Sequence, residues 1–164
     1  ETMECAIKLR NQLFAECGVI NTYAAADGTV RCEGTMSGID ISETDGMEGH
    51  EFENYCADLL RKNGFINVSV TPGSGDQGVD VIAEKEGVRY AVQCKCYSSA
   101  LGNTPVQEVC AGKSMYNCHV GVVMTNNYFT AGAKQLAEKN GILLWDRDKL
   151  QQMIDSAISE ESAV

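Results

Sequence analysis

Positive charge is scarce in this chain of 164 residues: 13 lysines and arginines stand against 23 aspartates and glutamates, and the formal net charge is −10. A nucleic-acid-binding domain usually carries a basic patch, so tight non-specific binding to DNA by this chain alone is not expected. Long apolar runs are also missing, so no transmembrane helix and no membrane partner are predicted. Hydrophobic residues still make up 44% of the chain, which is enough for a packed core.

Paired cysteine motifs are absent as well. The eight cysteines are scattered, mostly inside apolar runs, and no Cys-X-X-Cys pair occurs. We interpret them as reduced, small core residues of a cytoplasmic protein, with a zinc or disulfide site as the alternative. A signal-peptide pattern is also lacking. Because the first residue is Glu1 and not Met, the chain is expected to be a fragment.

The stretch that is present and most informative begins as a Gly-rich loop, Gly73–Gly78. Two β-rich runs follow, Val79–Glu84 and Val88–Lys95. Glu86-Gly87 lies between them and supplies the glycine that a two-residue hairpin turn favours. The pattern therefore predicts an antiparallel β-hairpin entered from a flexible loop, and glycine lets a backbone or ligand approach that loop closely.

The predicted register of this hairpin brings polar residues together. A turn centred between positions 86 and 87 places Asp80 opposite Gln93, and directly opposed Cβ atoms lie about 4.5–5.5 Å apart. Lys95 is two residues beyond Gln93 and shares its face of the sheet. Cys94 and Cys96 point to the other side.

Three convergent polar groups on buried strands are costly unless they bind something. Carboxylate and amide oxygens are hard ligands that suit Mg²⁺. A lysine beside a metal-bound water and a phosphate can orient the attack and stabilise developing charge. This is the layout needed to hydrolyse a phosphodiester. The alternative is a hairpin whose polar face is only solvated, but the apolar density of both runs favours burial.

The run Gly75-Asp76-Gln77-Gly78-Val79-Asp80, followed by Gln93-Cys94-Lys95, resembles the Mrr-like restriction endonuclease catalytic domain. That family is a branch of the PD-(D/E)XK nuclease superfamily in which Gln often replaces the acidic residue, giving D…QXK. The resemblance covers roughly residues 47–150. It implies a DNA endonuclease of the restriction type that depends on Mg²⁺, with Mn²⁺ as a substitute.

The resemblance also implies roles for the site residues. Asp80 and the side-chain oxygen of Gln93 would hold the metal, together with the backbone carbonyl of Cys94. Glu53 would complete the metal shell directly or through water. Lys95 would position the nucleophilic water.

The remaining candidates have open alternatives. Phe52-Glu53 matches a Phe-Glu pair of the family, but Glu53 also lies at the border of an apolar helical stripe, where a glutamate is often only solvated. His50 is interpreted as a surface or capping residue. Ser74 and Asp76 are candidate loop or substrate residues, with Asp76 shaping the loop in preference to binding metal. Gln107 lies either near the site or simply in solvent.

The other patterns predict the order αβββαβαβα. This order indicates a three-layer α/β/α sandwich with a mixed central sheet, and it agrees with the αβββαβ core that the resemblance implies. The predicted elements are a helix from a capping box at Asp45 and Glu48 to Asn63-Gly64, strand Phe65–Thr71, the hairpin, helix Thr104–Tyr116, strand His119–Thr125, a helix from Thr130 to Lys139, strand Ile142–Trp145 and a helix from Asp146 or Asp148 to about Ile158.

Three segments are expected along the chain. Residues 1–44 form an N-terminal helix over 3–17 and a connector with a turn at Asp27-Gly28; residues 45–158 form the nuclease domain; residues 159–164 form a tail. The expected partner is DNA, with a further DNA-binding domain or subunit outside this chain and a homodimer as an open possibility. Two other functions compete: a catalytically silent DNA-binding or regulatory module on the same fold, and a cysteine-based redox or metal protein.

Overall fold

The computed structural model describes residues 40–72 and 78–161, with side chains to residue 159, and the strands Tyr23–Ala24 and Val30–Arg31. These two short strands pair antiparallel, with Ala24 opposite Val30. The predicted turn residues and the predicted helix over 3–17 lie outside the described residues.

The chain divides into two compact units, Glu1–Ile39 and Asp40–Val164. The second unit has the predicted element order, preceded by a 3₁₀ helix. Its elements are the 3₁₀ helix Ile41–Gly46, α1 (Gly49–Lys62), β1 (Ile66–Val70), β2 (Val81–Lys85), β3 (Val88–Lys95), α2 (Thr104–Met115), β4 (Val120–Thr125), α3 (Ala131–Asn140), β5 (Ile142–Trp145) and α4 (Arg147–Glu161). In the described part of the chain, none of these helices combines the length and apolarity needed to cross a membrane.

One five-stranded sheet forms the centre of this unit, in the order β1-β2-β3-β4-β5. Strands β1, β2 and β3 are antiparallel neighbours, whereas β3, β4 and β5 are parallel. Parallel neighbours need a crossover connection, and α2 and α3 provide the two crossovers. The mixed sheet and its flanking helices confirm the predicted three-layer fold.

Two hydrophobic cores lie on opposite faces of the sheet. The first core packs α1 and α4 on the sheet and the second packs α2 and α3 on it. Strand β3 serves both, because its side chains alternate: Val92 and Cys94 enter the first core, and Ala91 enters the second. Gln93 and Lys95 therefore project on the side of α2.

The capping box lies three residues later than predicted. Glu48 is the N-cap of α1, and its partner is Glu51, whose carboxylate accepts a hydrogen bond from the Glu48 N–H at 3.4 Å. The pairing of Asp45 with Glu48 was wrong because Asp45 lies inside the separate 3₁₀ helix. Its carboxylate instead accepts hydrogen bonds from Arg147, at 2.7 and 3.1 Å.

The later helix boundaries agree with the sequence, except that α4 continues to Glu161, into the predicted tail 159–164. Thr130 caps α3 by accepting a hydrogen bond from the Ala133 N–H at 3.2 Å, and Gly141 ends that helix in the left-handed conformation. Asp146 is the residue that caps α4, since its carboxylate accepts from the Lys149 N–H at 3.1 Å.

Asp45→Asn should weaken the attachment of the 3₁₀ helix to α4. The hydrogen bond from Arg147 is the main reason that the pKa of Asp45 is lowered, so folding favours the charged carboxylate. That stabilisation is complete above the ordinary carboxyl pKa of about 3.9 and is lost as the pH falls through the lower folded-state value. Both partners are partly exposed, so we expect a loss of less than about 1 kcal/mol near neutral pH. Urea denaturation should show this difference in the free energy of unfolding between variant and parent at pH 7 and a smaller difference at pH 3. The same difference at both pH values would contradict a stabilising interaction between Asp45 and Arg147.

Candidate active site

The turn of the hairpin sets the geometry of the site. Lys85 pairs with Val88, and the antiparallel pairing continues until Val81 pairs with Val92. Glu86 has φ +53° and Gly87 has φ +76°, which a type I′ two-residue turn requires. The predicted register is confirmed for these pairs, and one residue before them the Asp80 N–H donates to the Val92 carbonyl at 2.8 Å.

Asp80 and Gln93 are in direct contact. The Gln93 Nε2 donates a hydrogen bond to Asp80 Oδ2 at 2.8 Å, and the Cys94 N–H donates to the same oxygen at 2.7 Å. Both side chains are buried, with Asp80 5% and Gln93 1% exposed. Donors of this kind are what a buried carboxylate needs in order to remain charged.

The oxygen of the Gln93 amide, Oε1, is buried and has no hydrogen-bond partner among the described residues. Leaving such an acceptor unsatisfied costs about 1–3 kcal/mol. No three His, Cys, Asp or Glu side chains of the described part come together as a metal-binding group. The donors here are instead one carboxylate and one amide oxygen, and these hard ligands fit a divalent cation such as Mg²⁺.

Lys95 lies on the face of β3 that carries Gln93, and its ammonium group meets a residue that was not predicted for the site. Its Nζ is 3.7 Å from Oε2 of Glu108 on α2. Both residues line a cavity of about 340 Å³, and so do Tyr97 and Thr104. The cavity beside Lys95 therefore has a wall formed by α2, and Asp80 and Gln93 are not among its lining residues.

Gly78, at the end of the Gly-rich loop, brings the hairpin against this wall. Its φ is +77°, and a Cβ at this position would lie 2.6 Å from Glu108 Cβ and 2.9 Å from the Glu108 carbonyl carbon. The close backbone approach expected of this loop thus occurs at Gly78. This glycine is the signal in the sequence that could have pointed to a tight contact, although it does not reveal which residue is contacted.

Glu53 lies on α1, and its Oε2 is 3.0 Å from Nδ1 of the exposed His50, which is a surface residue as predicted. The pKa of the Cys94 thiol is raised by a hydrogen bond with Cys56, by burial and by the nearby charges of Asp80 and Glu53. Both carboxylates contribute to this rise. Whether Glu53 shares a metal with Asp80 stays a prediction.

The remaining candidates are Gln107, Ser74 and Asp76. Gln107 lines a separate cavity of about 310 Å³, together with Cys110 of α2 and Leu136 of α3. Its contribution to the site stays a prediction. Ser74 and Asp76 lie outside the described residues.

The described cysteines are free thiols: Cys56, Cys94, Cys96, Cys110 and Cys118. Cys94 and Cys96 pack into the core on the side of α1, away from Gln93 and Lys95, as predicted. Burial raises the pKa of Cys96 and of Cys118, and hydrogen bonding to Cys56 together with burial raises that of Cys94. A raised pKa lowers the fraction of reactive thiolate, so these three thiols are poorly suited to redox or nucleophilic chemistry.

Comparison with known families shows to which family this chain belongs. The model of the Mrr_cat family, described as restriction endonuclease, matches residues 44–154 of the chain. The chain belongs to the Mrr_cat restriction endonuclease family. The match contains Asp80, Gln93 and Lys95, and it also contains Glu53 and Glu108. No curated protein gives a significant match to this Mrr_cat chain.

Solved structures share the fold of this Mrr_cat domain. A protein of unknown function, AF1548, is 22% identical with a TM-score of 0.57, and the match covers 70% of this chain and 67% of that one. The restriction endonuclease MspJI, in complex with a 27-mer oligonucleotide, is 20% identical with a TM-score of 0.52, over 72% of this chain and 30% of its own. The DNA modification-dependent restriction endonuclease AspBHI is 18% identical with a TM-score of 0.53, over 76% and 38%. The chain thus spans less than half the length of either enzyme.

Gly78→Ala should destabilise the Mrr_cat domain more than Gly87→Ala. Both glycines have positive φ, so both substitutions introduce backbone strain of about 1–2 kcal/mol. Only the new Cβ at position 78 meets neighbouring atoms, and overpacking of this kind costs about a further 1–3 kcal/mol. Chemical denaturation of the two variants measures the difference. Equal losses would mean that the contact between Gly78 and Glu108 is not tight.

Proposed function

We propose that this restriction endonuclease domain hydrolyses phosphodiester bonds in DNA and requires a divalent cation, Mg²⁺ or Mn²⁺. The observation that carries the proposal is the buried, unsatisfied Gln93 Oε1 beside the hydrogen-bonded Asp80 carboxylate. These two groups would hold the cation, together with the backbone carbonyl of Cys94. Glu53 would complete the shell directly or through one water.

Each residue of the chain has a distinct task in this proposal. A bound cation would supply Lewis-acid stabilisation of the phosphate oxygens and a more acidic water. Asp80 is held in one orientation by two donors from β3, so its carboxylate is preorganised. Lys95 would orient the attacking water and stabilise the negative charge that builds up on the phosphate in the transition state.

DNA as the substrate is supported by the family and by MspJI, a protein of the same fold that was solved with an oligonucleotide. The net charge of −10 does not favour strong binding of a polyanion by this chain alone. We therefore include in the proposal a further DNA-binding domain or subunit, or a homodimer. A cytoplasmic location suits the free thiols of the described residues.

A catalytically silent DNA-binding or regulatory module is the second candidate. Two observations favour it: the acidic net charge and the pairing of Lys95 with Glu108, which partly neutralises the lysine. The presence of Asp80, Gln93 and Lys95 together favours the nuclease, since a decayed site is expected to have lost one of them. If the protein binds DNA but cleaves it neither with Mg²⁺ nor with Mn²⁺, the silent module is the correct function.

Lys95→Ala should nearly abolish cleavage, leaving a small measurable rate, while the fold stays intact. The lysine acts mainly on transition-state charge, so kcat should fall by about 10²–10³ while KM changes little. Cleavage of labelled duplex DNA in Mg²⁺ and in Mn²⁺ measures this, with circular dichroism as the check on folding. Lys134→Ala, which removes the same charge from an exposed position on α3, is the matched control and should cleave as the parent does. Equal cleavage by the Lys95 variant would refute the assigned mechanism.

Gln93→Glu should make the stability of the fold depend on metal. In the parent the Gln93 amide donates to Asp80 Oδ2, whereas a glutamate has no donor and adds a second charge. Two adjacent buried carboxylates repel, so the free energy of unfolding should fall by about 1–3 kcal/mol in EDTA. Mg²⁺ or Mn²⁺ should then raise the Tm of this variant more than that of the parent.

Gln135→Glu, which makes the same chemical change on the exposed face of α3, is the control for this experiment. It should show no added response to the cation. A Gln93→Glu protein whose Tm is equally insensitive to metal would remove Gln93 from the metal site.

A further inference from the structure

Glu108 has features that distinguish it from an ordinary surface acid. Its Oε2 is buried and has no hydrogen-bond partner among the described residues, although its side chain is 40% exposed overall. The only charged group paired with it in the described part is the ammonium of Lys95, 3.7 Å away. That distance is too long for a good hydrogen bond, so the two groups attract each other mainly through their charges.

The backbone of Glu108 is fixed relative to the hairpin. Gly78 packs against it so closely that a Cβ there would lie 2.6 Å from Glu108 Cβ. Buried Val106 and Val109, on either side of Glu108 in α2, anchor the helix in the second core. The Glu108 carboxylate is therefore held beside the cavity next to Lys95.

We propose that Glu108 is a positioning residue for Lys95. It holds the ammonium group at the wall of the cavity, where a phosphate of the substrate would lie. A long lysine side chain loses conformational entropy when it is ordered. A fixed counter-charge orders the side chain before the substrate reacts, so this entropy is not lost during the catalytic step. The inference rests on the proposed function, because it assigns Lys95 to phosphate chemistry.

The proposal predicts that removing the negative charge of Glu108 lowers the rate of DNA cleavage. Removing an acid near the bound DNA lowers electrostatic repulsion. If Glu108 were only a surface charge, the variant without it would bind DNA more tightly and cleave it at least as fast. A positioning glutamate behaves differently, because its loss frees Lys95. The rate then falls even though DNA binding is unchanged or tighter.

The kinetic test uses Glu108→Gln, Glu108→Asp, Lys95→Ala and the double variant of Lys95→Ala with Glu108→Gln. We expect kcat of Glu108→Gln to fall by about 10- to 100-fold, with KM equal or lower, and Glu108→Asp to recover part of the rate. In the Lys95→Ala background, Glu108→Gln should change the rate by less than about twofold, because the two residues act as one unit. Independent, multiplicative effects of the two substitutions would overturn the proposal. So would an unchanged or higher kcat of Glu108→Gln.

Glu138→Gln is the matched control, since Glu138 is an exposed acid of α3 that does not line the cavity. It should cleave as the parent does. A fall in kcat equal to that of Glu108→Gln would show that lost charge, and not the position of Glu108, is responsible.

A second measurement separates this inference from the proposed function. NMR spectra of protein labelled with ¹³C-lysine report the Lys95 Cε signal, which is assigned by its loss in Lys95→Ala. Glu108→Gln should shift this signal and Glu138→Gln should not, with no DNA or metal present. If the parent never cleaves DNA but the signal shifts, the proposed function fails and the pairing stands. If the signal does not move, the positioning role is refuted whether or not DNA is cleaved.

Discussion

The register of the β2–β3 hairpin is the constraint on which the site depends. Side chains alternate between the faces of a strand, so a slip of one residue would exchange every side chain of β3 between the two cores. Gln93 would then enter the apolar core with Phe52, and Val92 would replace it beside Asp80. The two left-handed residues of the turn, Glu86 and Gly87, prevent this slip by closing the hairpin without an extra residue. The chemistry of the site thus begins at a turn some six residues away from it along each strand.

The excess of negative charge around the candidate site favours a bound cation. Glu108 pairs with Lys95, Asp80 lies beside the neutral Gln93, and the chain as a whole has a net charge of −10. A phosphate approaching such a site meets more negative than positive charge, and the field inside a partly buried cleft is poorly screened. A bound divalent cation reverses that balance. The neutral Gln93 fits this view, because it would supply a ligand oxygen without a further negative charge.

The local elements were predictable because their signals are local. The hairpin turn, the cap at Thr130, the stop at Gly141 and the strand Ile142–Trp145 depend on residues close together in sequence, and each agrees with the structure. The contact between Asp80 and Gln93 followed from the register alone. The failure at Asp45 has a tertiary cause: an arginine about a hundred residues later takes its carboxylate. Glu108 was missed for a similar reason, since its contact with Gly78 depends on how a helix docks on the sheet.

Cys94 contributes to the site with its main chain and to the opposite core with its side chain. Its N–H donates to Asp80, whereas its thiol is buried beside Cys56 among apolar residues. The middle residue of Gln-X-Lys must therefore be small and apolar enough to fit the core, and it does not need a reactive side chain. Chemistry and packing are placed on separate faces of one strand, so apolar side chains of the core behind β3 can be exchanged without replacing the side chain of Asp80, Gln93 or Lys95.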